Sequence, residues 1–257
     1  MTLPDPLAAF RLDGRVALVT GASSGLGARF ARVLDAAGAR VVVAARRAER
    51  LDALVAELHD AAAVPVDLTE PDAPRRLLAD ATERMGPIDV LVNNAGVSIS
   101  TPALEYPAEE FRREIELDLV APYALARGVA AAAIDGGRSA SIVNLGSVLG
   151  LVGGGRLRVP GYAAAKGGLH NLTRELASEW ARKGIRVNAL APGWFESEMS
   201  ADMFADPTST AYITDGTPMG RGGAEHELDG ALLFLASDAS SFVTGHVLYV
   251  DGGWTAI

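Results

Sequence analysis

Short apolar, β-branched runs alternate with segments of helical period along almost the whole chain. Arg15–Thr20, Arg40–Ala45, Ala61–Val66, Ile88–Val92, Ser141–Leu145, Ile185–Leu190 and Val247–Val250 read as strands. Their lack of an inside–outside alternation is that of strands covered on both faces. Between them lie segments with apolar residues three and four apart. Leu26, Phe30, Val33 and Leu34 form one set, and Leu51, Leu54, Val55 and Leu58 another. Phe111, Ile115 and Leu119 align within a stretch from Pro107 to Ala133, and Leu169, Leu172, Leu176 and Trp180 in a later one. Strand–helix alternation predicts an α/β fold, a doubly wound parallel sheet with helices on both faces. Pro122 is expected to kink or break the long helix. With no linker, repeat or composition shift, the 257 residues read as one domain. Residues 194–223, without clear period and holding Met199, Met203, Phe204, Tyr212 and Met219, read as a lid-like loop.

The first strand runs into Gly21-Ala22-Ser23-Ser24-Gly25-Leu26-Gly27 and then a helix. Strand, glycine-rich turn and helix place an anion at a helix N-terminus, where free N–H groups and the helix dipole favour it. The second strand ends at Ala45, followed by Arg46 and Arg47. An acidic residue there would bind ribose hydroxyls and repel a 2′-phosphate, whereas a guanidinium suits the phosphate. Arg46, with Arg47 beside it as a second candidate, therefore points to NADP(H), with NAD(H) still open.

Tyr162 and Lys166 stand four apart, so a helix puts both side chains on one face. An ammonium beside a phenol favours the phenolate. A drop of about three pKa units corresponds to roughly 4 kcal/mol and would bring a tyrosine into the range of a general acid/base. Ser147, fifteen residues upstream, follows a strand directly, where ligands of open α/β sheets bind.

Net charge is −9 with no block of basic residues, which argues against nucleic-acid and anionic-membrane partners. Cysteine is absent, which excludes disulfides and thiolate metal sites. His59, His170, His226 and His246 show no metal-ligand spacing and read as surface or structural. No run of eighteen apolar residues and no signal pattern are present, so no membrane span and a cytoplasmic location are expected.

Thr20-Gly21-x-x-x-Gly25-x-Gly27, Asn93-Asn94-Ala95-Gly96, Ser147, Tyr162-x-x-x-Lys166 and Pro192-Gly193 occur in this order. Together they resemble the short-chain dehydrogenase/reductase family, from about Gly14 to Gly253. The resemblance implies a Rossmann-like sheet of seven parallel strands and hydride transfer between NAD(P)(H) and an alcohol/carbonyl pair. It implies Tyr162 as acid/base, Lys166 lowering its pKa and holding the nicotinamide ribose, and Ser147 orienting the substrate oxygen. Gly21, Ser23, Ser24, Gly25, Leu26 and Gly27 match the pyrophosphate turn, Asp67 and Leu68 the adenine contact. Asn93, Ala95 and Gly96 match the adenosine side, and Pro192, Gly193, Phe195 and Ser197 the nicotinamide carboxamide segment. Where the family usually has a relay asparagine this chain has Asp118, expected either to serve through its carbonyl or to pair with Lys166. The family also implies a homotetramer or homodimer, and a small-molecule substrate. The contrasting reading is a non-catalytic, nucleotide-sensing relative, which would commonly lack the tyrosine or lysine. Substrate chemotype is not decided, although the apolar loop fits a ketone better than a sugar or polyol.

Overall fold

The computed structural model describes residues 5–198 and 200–257, so Met199 lies outside the described residues. Seven strands form one parallel sheet: β1 (Val16–Thr20), β2 (Arg40–Ala45), β3 (Ala61–Pro65), β4 (Val90–Asn93), β5 (Ala140–Leu145), β6 (Ile185–Pro192) and β7 (Val247–Val250). Their order is β3-β2-β1-β4-β5-β6-β7. Every strand pair is parallel, with Leu18 beside Val42 and Leu91, and Ile142 beside Leu91 and Val187. The order reverses between β1 and β4, which opens a crevice at the carboxyl ends of those strands.

Alternate residues of each strand enter opposite cores. Leu18, Val42 and Ala44 join Leu77, Leu125 and Leu176, from α3 (Ala73–Met85), α5 (Ala121–Asp135) and α6 (Pro160–Trp180). Val19, Val41 and Val43 join Phe30, Leu34, Leu51 and Leu232, from α1 (Gly25–Ala36), α2 (Ala48–Val55) and α9 (Asp229–Ala236). Each such Leu or Phe contributes roughly 1.5–3 kcal/mol by leaving water.

The long helical stretch is interrupted as expected, but upstream of Pro122. α4 (Ala108–Ile115) widens into a π-helical turn, Glu116–Val120, before α5 begins. The N–H of Ala121 bonds the carbonyl of Glu116, five residues back. Pro122 has no N–H to give to the carbonyl four residues back, so the ladder slips by one residue before it. The apolar trio expected to bury α4 does not do so. Phe111 is exposed, and the buried residues of the segment are Glu114 and Asp118. The stretch Ala108–Asp135 is long and apolar enough to cross a membrane, with a mean hydropathy of 1.4 in its most apolar window. Its Leu125, Ala126, Val129 and Ala133 instead pack on the sheet.

The aperiodic stretch 194–223 contains two short helices, α7 (Ala201–Ala205) and α8 (Pro207–Gly216). They close over the carboxyl edge of the sheet through a small apolar cluster. Val148, Leu149, Val159, Trp194 and Ile213 form its centre, with Tyr162, Tyr212 and Trp254 against them.

Candidate active site

The turn after β1 shows why small residues stand there. Gly21 and Gly25 take positive φ, +67° and +50°. A Cβ on Gly27 would lie 2.3 Å from the Gly21 carbonyl oxygen, so α1 leaves the strand at a closeness that only glycine allows. Ser24 precedes α1 without capping it through its side chain, so the amides of that helix end are free for an anion. Leu26 tucks into the core beside them. The Thr20 hydroxyl accepts the N–H groups of Asn94 and Ala95, each at 3.0 Å, and the Asn94 amide donates to the Thr20 carbonyl at 2.8 Å. These bonds lock the ends of β1 and β4 together at the switch point. Asn93 is buried and gives its amide to Asn144 and to the Pro122 carbonyl, so its side chain stitches β4 to β5 and to the start of α5.

At the end of β2 the structure separates the two arginines. Arg46 makes no hydrogen bond or ion pair among the described residues; its charge is felt by Asp67, whose carboxylate bonds the Thr69 N–H and sits below the usual range. Arg47 is the one that reaches the turn. Its Nη2 donates to Ser23 Oγ at 2.9 Å and to Ser24 Oγ at 2.8 Å, and it holds Glu198 in a two-point pair, 2.8 Å at each oxygen. Arg50 adds a contact to the same carboxylate at 3.3 Å. The hydrogen bond from Arg47 pushes the Glu198 carboxyl down to about 2. Leu68 is buried next to Asp67.

Ser147 follows β5, and its Oγ accepts the Leu149 N–H at 3.1 Å. Beneath it lies His170, buried, receiving the Ser147 N–H at Nε2 over 3.4 Å. Cβ atoms on Gly146 and Gly150 would come within 2.3 and 2.5 Å of the imidazole. Burial, with Arg174 and Lys166 nearby, pushes His170 down to about 4, so it is a neutral ring that props the serine. Its sequence position, one turn after Lys166, carries no sign of that contact.

Tyr162 and Lys166 lie on the first turns of α6, with the ammonium 5.3 Å from the Tyr162 ring centre. Lys166 is buried and donates to the Leu145 carbonyl at 2.9 Å. Asp118 takes the pairing course: its Oδ1 lies 3.1 Å from Lys166 Nζ, and its Oδ2 accepts the Val97 N–H at 3.0 Å. A Cβ on Gly96 would sit 2.4 Å from that carboxylate, so the glycine of the Asn-Asn-Ala-Gly run makes room for the acid.

This carboxylate changes the electrostatics expected from Tyr-x-x-x-Lys. Burial opposes the Lys166 ammonium, but Asp118 and Tyr162 hold its pKa above the ordinary value. Burial raises the Asp118 carboxyl against the pull of Lys166. Tyr162 is pushed up, not down. Burial is the main cause; Asp118 and Glu114 add to it, while Lys166 and a hydrogen bond with Ser147 work the other way. Burial outweighs the pull of Lys166 on the phenol, and Asp118 takes up part of the lysine charge besides.

The carboxamide segment is held rigidly. Gly193 packs against Asp251, where a Cβ would lie 2.7 Å from its Cα. Pro192 ends β6, Phe195 is buried, and Ser197 is tied by its N–H to Ser200 Oγ at 2.9 Å. Glu114 is the residue that sequence reasoning missed. No motif marks it: it follows Glu109-Glu110-Phe111-Arg112-Arg113, a mostly charged stretch, yet it is fully buried.

A family profile described as enoyl-(acyl carrier protein) reductase matches residues 21–255. The chain is 42% identical over 248 residues to galactitol 2-dehydrogenase (L-tagatose-forming) of Cereibacter sphaeroides, covering 96% of this chain and 97% of that one. It is also 42% identical over 248 residues to cis-4-hydroxycyclohexanecarboxylate dehydrogenase of Sinomonas cyclohexanicum, covering 95% and 97%. A solved gluconate 5-dehydrogenase from Burkholderia cenocepacia J2315, in complex with NADP and tartrate, superimposes with a TM-score of 0.92 at 36% identity, over 98% of this chain and 100% of that one. The chain belongs to the short-chain dehydrogenase/reductase family. It is an oxidoreductase acting on an alcohol/carbonyl pair, and the fold expected from the strand–helix alternation is the one observed.

Proposed function

We propose that the chain is a single-domain, NADP(H)-dependent reductase/dehydrogenase of a small hydroxy or oxo compound, using Tyr162 as acid/base. The observation that carries the reading is the convergence of Ser147, Tyr162 and Lys166 at the carboxyl end of β5, with Lys166 anchored by Leu145 and Asp118. The free N-terminus of α1, the open glycine turn and the Ser23–Ser24–Arg47 cluster fit a dinucleotide phosphate. The same turn, with Leu26, Arg46 and Arg47, would hold the adenosine end, flanked by Asp67, Leu68, Asn93, Ala95 and Gly96. Tyr162, Lys166, Pro192, Gly193, Phe195 and Ser197 would hold the nicotinamide end. The bound dinucleotide supplies or takes up the hydride.

The protein's part is proton chemistry and orientation. In reduction, Ser147 donates to the substrate carbonyl oxygen and fixes its direction. As the carbonyl carbon gains its hydride, the Tyr162 O–H bond breaks and its proton passes to that oxygen. Lys166 stabilises the resulting phenolate, and solvent returns the proton. Oxidation runs the same steps backward. Trp194, Tyr212 and Trp254, stacked edge to face with centres 5.0–6.2 Å apart, wall the substrate side. The Arg156 guanidinium lies 6.0 Å from the Tyr212 ring centre and takes part in no ion pair among the described residues. Aromatic walls with a free guanidinium suit a ring or polyol bearing a carboxylate, the chemistry named in the cyclohexanecarboxylate and gluconate relatives. Residues 194–223 act as the lid over this site. Phe111, Val120 and Tyr123 are exposed on the α4–α5 segment. They support a homotetramer or homodimer built through those helices.

The test is turnover of NADPH and NADH against a panel of hydroxy acids, cyclic ketones and polyols, with Tyr162→Phe as blank. The expected result is activity on at least one class that falls by at least about 100-fold in the blank. Retention of more than about a tenth of activity in Tyr162→Phe would remove the assigned role.

A further inference from the structure

Glu114 is a buried carboxylate that the reaction as described does not use. Its Oε1 accepts the Ile99 N–H at 2.7 Å, and its Oε2 accepts the hydroxyl of Tyr106. A Cβ on Gly161 would lie 2.0 Å from that same Oε2, so the carboxylate rests against the backbone immediately before Tyr162. Asp118 stands one turn further along, across the π-helical turn, and performs the matching act on Val97. Two acids on one helix face therefore clamp alternate amides of the segment leaving β4, and both lie beside the start of α6.

A neutral glutamine could keep the Ile99 bond at its amide oxygen and donate its NH2 to the Tyr106 hydroxyl oxygen, so the two contacts do not themselves require a charge. Burying a carboxylate instead costs several kcal/mol that pairing must offset, and Glu114 has no cationic partner among the described residues. What the charge adds is a field on its neighbours. Tyr162 is faced by Lys166 from its own helix, Asp118 from the π-helical turn, Glu114 from α4, and the Ser147 hydroxyl after β5. Glu114 itself is pushed up from its ordinary value by burial, with Asp118 and Glu110 adding to it, while the Tyr106 hydroxyl and the Ile99 N–H favour its charged form; in the alkaline range where a phenol ionises it is a carboxylate. Of the charged groups around Tyr162, Lys166 favours the phenolate and both acids oppose it.

We propose that Glu114 is a positioning residue for the reaction, a buried negative charge locked by Ile99 and Tyr106 against the Tyr162 turn that keeps the phenol in its proton-donating form. It favours the step in which the Tyr162 O–H bond breaks and its proton goes to the oxygen of a carbonyl being reduced. The proposal rests on Tyr162 as the acid/base. It concerns Glu114 alone and uses a readout that needs no substrate.

The experiment is an ultraviolet titration of tyrosinate in the cofactor-free protein, run for wild type and Glu114→Gln, each also in the Tyr162→Phe background. The difference isolates the Tyr162 transition. The expected result is a shift of that transition to lower pH by about half a unit or more in Glu114→Gln. For any substrate found, the pH limb of kcat/KM moves in the same direction. A transition unmoved in a folded Glu114→Gln protein overturns the proposal. If Glu114→Gln does not fold, Glu114→Met combined with Tyr106→Phe carries the test, removing the charge and its hydroxyl partner together; the Tyr162 transition should again move down, and its failure to move in the folded variant overturns the proposal equally. A shifted titration with no turnover on any substrate would leave Glu114 in place and count against the substrate panel instead.

Discussion

Asp118 changes the balance of charge around Tyr162 and Lys166. An asparagine there would leave the ammonium free to act on the phenol alone. The carboxylate, fully buried and 3.1 Å from Nζ, divides that charge. The sign is then determined: a negative charge near Tyr162 favours its protonated form, and removing it favours the phenolate. Asp118→Asn keeps an acceptor for the Val97 N–H while deleting the charge. The pH limb of kcat/KM in the alcohol-oxidising direction is expected to move to lower pH by about one unit, with the rate near neutrality rising or holding. A pH–rate profile of both proteins checks this, and an unmoved limb would mean that the pair does not act on Tyr162.

At the scale of elements, two short segments deliver the chemistry. The α4–π–α5 rod carries Asp118 to Lys166 because Pro122 cannot continue the ladder of hydrogen bonds and the turn before it widens. The β2–α2 connection delivers Arg47 to Ser23 and Ser24 and leaves Arg46 outward. Arg47→Ala is expected to weaken NADPH binding by about tenfold or more while NADH changes little, since a charge-assisted bond to a phosphate is lost. Arg46→Ala should show the same preference with a smaller loss. Fluorescence titration with both dinucleotides decides between the arginines, and equal losses for NADPH and NADH would remove the phosphate contact from both. The Glu198 carboxylate now paired with Arg47 is half exposed, so the pair weakens with salt and yields readily to a doubly charged phosphate.

For the whole molecule, the exposed side chains on the α4–α5 segment bear on assembly. Val120 and Tyr123 are each 40% exposed, and Phe111 is 37% exposed, whereas α1, α2, α3, α6 and α9 bury apolar residues on the sheet. Asp118 projects from the same rod toward Lys166. Assembly through this face would therefore brace the active site from behind. Val120→Asp with Tyr123→Glu is expected to lower the assembly's mass in light scattering. It should also cut turnover at low protein concentration while cofactor still binds. A mass unchanged by the double variant would place the interface elsewhere.

The sequence by itself determined the layered fold and the shared helix face of Tyr162 and Lys166. Apolar runs of strand length separated by helix-period segments admit few arrangements other than a parallel sheet covered on both faces. Gly21, Gly25 and Gly27 mark a close approach, and a Tyr–Lys spacing of four survives as a shared helix face because both are local properties of the chain. Tertiary structure alone decided what depends on residues distant in sequence. Phe111 was aligned for burial, but the sheet lies on the other side of α4, and Glu114 and Asp118 went inside because Ile99, Val97, Tyr106 and Lys166 wait there to pair with them. Arg47 reaches Ser23 and Ser24 from the residue just before α2, a contact between segments more than twenty residues apart. His170 became a prop for Ser147 only once β5 lay against α6. Periodicity records which residues can be buried together; the partners of a buried charge are set by the packing of elements that the sequence keeps far apart.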